Sequence, residues 1–70
     1  MMKAEFQVSG MSCAHCETAI RGEVSRIPGV EAVEVSAATG RLIVTSAASV
    51  ADEQVLEAVD EAGYSAARVA

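Results

Sequence analysis

At 70 residues the chain has room for one domain with one modest core, and no dedicated catalytic domain fits beside it, so an enzyme is not expected. Apolar residues make up 51% of the sequence, which excludes wholesale disorder. A net charge of -5 with five scattered bases (Lys3, Arg21, Arg26, Arg41, Arg68) argues against nucleic acid as a partner. No apolar run approaches the roughly 20 residues that cross a bilayer, and Met1–Phe6 shows no secretory leader, so a reducing cytoplasm is the expected compartment and membrane insertion is not expected.

Met1, Met2 and Lys3 read as a mobile terminus. Glu5-Phe6-Gln7-Val8 alternates apolar and polar, the period of a strand, and Gly10 breaks it. A loop over Met11–His15 follows. From Cys16 the spacing turns helical: Cys16, Ile20, Val24 and Ile27 form one stripe, with Glu17, Arg21, Glu23 and Arg26 predicted to face water. Pro28-Gly29 ends the helix. Val30–Ser36 is predicted as a strand with Val33 and Val35 on one face, Ala37–Gly40 as a turn, and Arg41–Thr45 as the partner strand with Leu42 and Val44 inward. Ser49, with Asp52 three residues on, reads as the cap of a second helix, buried along Val55, Val59 and Ala62 and flanked by Leu56. Gly63 is placed to close it in a left-handed conformation, and Ser65–Val69 is a last short strand.

Strand, helix, strand, strand, helix, strand is the split βαβ, ferredoxin-like order. The predicted fold is α+β: a four-stranded antiparallel sheet carrying both helices on one face, in a single domain spanning 1–70. Asp52, Glu53, Glu57, Asp60 and Glu61 occupy one segment without a base. They read as a solvated helix face, or alternatively as an acidic docking face for a basic partner.

The chemistry concentrates at Cys13 and Cys16, the two cysteines of the chain, spaced C-x-x-C where a loop enters a helix. Helix N-termini favour thiolate, the spacing lets both sulfurs converge on one point, and a surface loop leaves that point accessible. A closed zinc site takes four ligands, and two thiols with one histidine fall short of that. Soft thiolates select copper(I), for which two donors suffice. A dithiol redox pair has the same spacing but belongs to a longer fold with a different order of elements, so spacing alone favours metal without closing the question.

Gly10-Met11-Ser12-Cys13-Ala14-His15-Cys16 resembles the G-M-x-C-x-x-C signature of the heavy-metal-associated domain family, which includes bacterial copper chaperones and the metal-binding domains of copper-transporting P-type ATPases. Ile27-Pro28-Gly29-Val30 resembles the family's helix-to-strand link. Val33-Glu34-Val35 with Thr39-Gly40 resembles its central hairpin, and Gly63-Tyr64 the loop that faces the metal. The resemblance covers nearly the whole chain. It implies the split βαβ fold and copper(I) held by Cys13 and Cys16, with delivery by thiolate exchange to the soluble domain of a copper-transporting ATPase. Met11 reads as core beneath the loop, with a thioether ligand to copper(I) as the alternative, and the resemblance agrees with the core reading; it also implies that Tyr64 shields the thiolates. Tyr64 also suits a hydrophobic contact after the helix cap, which is compatible with that role. Ser12 stands where zinc-exporter domains tend to carry an acid. His15, often a small residue in the family, is read as tuning the thiols or touching metal in a copper-bridged dimer, with the apo chain a monomer. The alternatives are a domain of an ATPase, which an initiating Met1 and the lack of a linker disfavour, a dithiol redox protein, or a carrier of mercury(II) or zinc.

Overall fold

Six elements follow in the expected order: β1 (Met2–Ser9), α1 (Ala14–Val24), β2 (Val30–Ser36), β3 (Arg41–Ser46), α2 (Asp52–Glu61) and β4 (Ser65–Arg68). The computed structural model describes residues 2–11, 14–47 and 49–69, so the expectations for Met1, Ser12 and Cys13 lie outside the described residues. The strands form one sheet in the order β2-β3-β1-β4, with every neighbouring pair antiparallel.

The period of two along β1 and β3 decides which face is covered. Phe6 stands opposite Leu42 and Ala4 opposite Val44; Phe6, Leu42 and Val44 are buried, as is Val8. Ile20 and Val24 from α1 and Val55 and Val59 from α2 close over these side chains, so both helices lie on one face and share one core. Full burial of a side chain such as Leu42 or Phe6 stabilises by about 1.5–3 kcal/mol, so this shared face anchors both helices to the sheet. The opposite face carries exposed Lys3, Gln7, Glu34 and Arg41, with an Arg41–Glu5 ion pair at 3.2 Å across β1 and β3.

Several local details depart from the pattern-based expectations. Met2 and Lys3 do not hang free: they extend β1 and pair with Ser46 and Thr45. α1 starts at Ala14, two residues before the apolar stripe, and ends at Val24, so Ile27 packs on the core from the turn that follows. Ser49 does not cap α2. Ala51 takes that place, and its N–H is accepted by Gln54 Oε1 at 3.1 Å, so the reciprocal half of a capping box stands without the serine. β2 carries an irregularity between Val30 and Ala32.

The C-terminal end of α2 follows its sequence. Gly63 has φ +94, Tyr64 N–H bonds Val59 O at 3.1 Å and Gly63 N–H bonds Asp60 O at 2.9 Å, a closed Schellman motif. On the short edge strand β4, Arg68 stands opposite Phe6, its guanidinium 5.6 Å from the ring centroid, and reaches Asp52 in the first turn of α2 at 2.5 Å. Of the acidic segment, Asp52 is thus paired within the chain, by a base from the next strand. No helix among the described residues is long and apolar enough to cross a membrane.

Candidate metal centre

The first turn of α1 brings His15 and Cys16 into a helix that the apolar spacing starts only at Cys16. Backbone N–H groups there have no carbonyl within the helix, and the aligned peptide dipoles give that end partial positive charge. A sulfur in such a place is favoured in its anionic, metal-binding form.

Cys16 is 5% exposed, as its place on the apolar stripe of α1 predicts, so its sulfur is less accessible than a site at a surface loop would suggest. The closure comes from Tyr64. Its hydroxyl donates a hydrogen bond to Cys16 Sγ at 2.8 Å, across 48 residues of sequence. The Schellman motif that ends α2 sets Tyr64 in this position, and its half-buried ring packs against the core. A Cβ added to Gly10 would lie 3.5 Å from Tyr64 Cδ1, so the ring also stands beside the glycine that opens the motif. Tyr64 is thus both the contact that follows the helix cap and a hydrogen-bonding neighbour of the Cys16 sulfur.

The remaining candidates divide. Met11 is partly buried and packs against the core. His15 is exposed on α1, and among the described residues no three His, Cys, Asp or Glu side chains converge on one point. Ser12 and Cys13 lie outside the described residues, and with them the pairing of the two sulfurs.

One residue of this region escaped the sequence pattern. Glu17 does not simply face water: its Oε2 accepts the backbone N–H of Ala37 at 2.7 Å in a half-buried setting. An acid in the first turn of a helix is legible from sequence, whereas its reach to a turn 20 residues away is not.

With the site in place, similarity to other proteins can be set beside it. The family model described as the heavy-metal-associated domain matches residues 5–65. The copper chaperone CopZ of Enterococcus hirae is 41% identical over 66 residues, covering 93% of this chain and 96% of that protein. A zinc-transporting ATPase of Synechocystis sp. is 38% identical over 64 residues, covering 90% of this chain but only 9% of the ATPase. Among solved structures, a copper binding domain from HMA7, a P-type ATPase, superposes with a TM-score of 0.91 at 27% identity, covering 100% of this chain and 96% of that one. The family model spans most of the chain, and a relative 41% identical is covered almost whole, so this chain belongs to the heavy-metal-associated domain family.

Proposed function

We propose that the chain carries copper(I) as cargo between Cys13 and Cys16 in the cytoplasm and passes it to a soluble domain of the same fold on a copper-transporting P-type ATPase. The observation that carries this reading is the setting of Cys16: a sulfur in the first turn of α1, 5% exposed, with the Tyr64 hydroxyl aimed at it from 2.8 Å. A permanently closed site would gather four donors, whereas two thiolates suit a soft ion that must leave again. The choice of copper is supported by the 41% identity to a copper chaperone across nearly the whole of both chains.

Transfer then follows from under-coordination. An incoming thiolate of the acceptor forms a third metal–sulfur bond, and one of the carrier's own metal–sulfur bonds breaks. The ion stays bound to sulfur throughout, so tight holding and rapid release are compatible. Cys16, nearly enclosed and hydrogen-bonded, is shielded from an incoming ligand. The chain acts here as a binding and transfer protein, with no bond of a substrate made or broken apart from those to the metal.

The likeness to a zinc-transporting ATPase domain favours a second reading, in which zinc is the cargo. Competition titration of the reduced protein against chelators for copper(I) and for zinc, without oxygen, separates the two. The expected result is copper(I) held far more tightly than zinc, and lost in the Cys13→Ser, Cys16→Ser double variant. Equal retention by that variant, or preference for zinc, overturns the assignment.

A further inference from the structure

α1 packs against α2 on one side and β2 on the other. Successive positions on a helix point about 100° apart, so Cys16 and Glu17 reach different neighbours. Cys16 meets Tyr64, from the link between α2 and β4. Glu17 reaches the opposite flank, where its Oε2 takes the Ala37 N–H at 2.7 Å, a short, charge-assisted bond.

The point that Glu17 holds is itself fixed. The turn after β2 is closed by Gly40 N–H to Ser36 O at 2.8 Å. It is tied to β1 by Val8 N–H to Gly40 O at 2.7 Å and by Gln7 Nε2 to Thr39 O at 3.0 Å. Force on the Glu17 bond is therefore passed to the centre of the sheet. The favourable dipole interaction of an acid in a first turn is satisfied without such a contact, so the reach to Ala37 does something more specific.

We propose that Glu17 is a positioning residue for metal capture. With Tyr64 on the other flank, it clamps the first turn of α1 so that Cys16 stands ready before the ion arrives. This rests on the proposed cargo-binding role of Cys13 and Cys16. The physical basis is preorganisation: a site that is competent for only a fraction of the time binds with its affinity reduced by that fraction. Without the Glu17 bond, the first turn of α1 loses its tie to the turn after β2 and the competent fraction falls. A hydrogen bond to a charged group in a half-exposed setting corresponds to a change of about three- to tenfold in the equilibrium between the competent and incompetent first turn, which is the ceiling on the loss of affinity.

Four proteins test this: wild type, Glu17→Ala, Glu17→Gln and Glu17→Asp, with the Cys13→Ser, Cys16→Ser double variant as the metal-binding control. Two quantities are measured on the reduced protein, amide hydrogen exchange at Ala37 without metal and copper(I) affinity by chelator competition. Glu17→Gln keeps an acceptor oxygen at the same reach but not its charge, and is expected to retain a protected Ala37 amide and an affinity nearer to wild type than that of Glu17→Asp or Glu17→Ala. Glu17→Asp keeps the charge but is one methylene short; it is expected to lose the amide protection, as is Glu17→Ala, with affinity measurably weaker, by up to about three- to tenfold. Unchanged copper affinity in Glu17→Asp and Glu17→Ala while the Ala37 amide loses its protection overturns the proposal. So does a Glu17→Gln protein that loses as much affinity as Glu17→Ala with its amide still protected. Should Glu17→Ala unfold, the aspartate and glutamine variants decide. Failure of the cargo reading looks different: wild type and the double cysteine variant then bind copper(I) alike.

Discussion

Deleting one oxygen atom is the sharpest probe of the site. Tyr64→Phe removes the hydroxyl that donates to Cys16 Sγ at 2.8 Å and leaves the ring that packs beside Gly10. Cys16 is 5% exposed and Tyr64 is half-buried, so water replaces the lost donor poorly. A thiol sulfur is a weak acceptor, which sets the lower bound of the interaction at about 0.5 kcal/mol. A thiolate makes the bond charge-assisted and raises it to about 1.5–3 kcal/mol. Both side chains make further interactions, so a single substitution would mix several effects. The clean measure is a double-mutant cycle of Tyr64→Phe and Cys16→Ala, followed by urea unfolding of the reduced, metal-free protein. The expected coupling is at least about 0.5 kcal/mol. Tyr64→Phe alone is expected to lower Tm by several degrees, since a domain of this size loses about 4–8 °C per kcal/mol. A coupling within about 0.3 kcal/mol of zero, the ordinary scatter for independent sites, would show that the hydroxyl and the sulfur do not stabilise one another.

Two comparisons probe the frame that holds the site. Gly40 has φ +73, and a Cβ there would collide with Gln7 Nε2 and lie 2.8 Å from the backbone oxygen of Val8, whereas Gly63 at φ +94 has nothing within 4 Å. Gly40→Ala is therefore expected to cost about 2–4 kcal/mol and Gly63→Ala about 1–2 kcal/mol, read from urea midpoints; equal losses would show that the backbone clash is absorbed. At the start of α2, Ser49→Ala is expected to change stability by less than about 0.5 kcal/mol, while Gln54→Ala loses about 0.5–1 kcal/mol with the bond to Ala51 N–H; the reverse order would restore Ser49 as the cap.

What the sequence reveals here is whatever repeats with a short period. Phe6 and Val8, Leu42 and Val44, Ile20 and Val24, Val55 and Val59 each mark an inward face, and all eight meet in the core. Gly40 and Gly63 are legible because a turn and a helix end both need positive φ. The start of α1 is less visible, since Ala14 and His15 contribute nothing to an apolar stripe. Met2 and Lys3 look like a loose end because the strand that orders them lies more than 40 residues away. Ser49 misleads because a serine followed by an acid is a good cap wherever the helix begins, and the packing of Val55 and Val59 begins it at Asp52. Within the site, resemblance to a family brings Tyr64 near the metal, but no pattern in the chain shows that its hydroxyl meets Cys16. The Glu17 bond is harder still to foresee: an acid on a helix flank looks solvated until the neighbouring turn is in place. Burial of Cys16, by contrast, is legible, since the sulfur lies on the same apolar stripe of α1 as Ile20 and Val24.

The engagement of Arg68 with Asp52 and the Phe6 ring has a consequence for how the molecule behaves in a crowded solution. β4 is four residues long and forms one rim of the sheet, where unpaired backbone groups can template a foreign strand. A strand arriving there would find little length to zip against. It would also have to lie beside a guanidinium already committed to Asp52 and to the face of Phe6. Lateral growth through this rim would break that ion pair or trap a charge in a dry seam, and both are unfavourable. Arg68 thus serves as a gatekeeper against sheet-to-sheet aggregation on the β4 side, whatever the loops at the other end of the strands are doing.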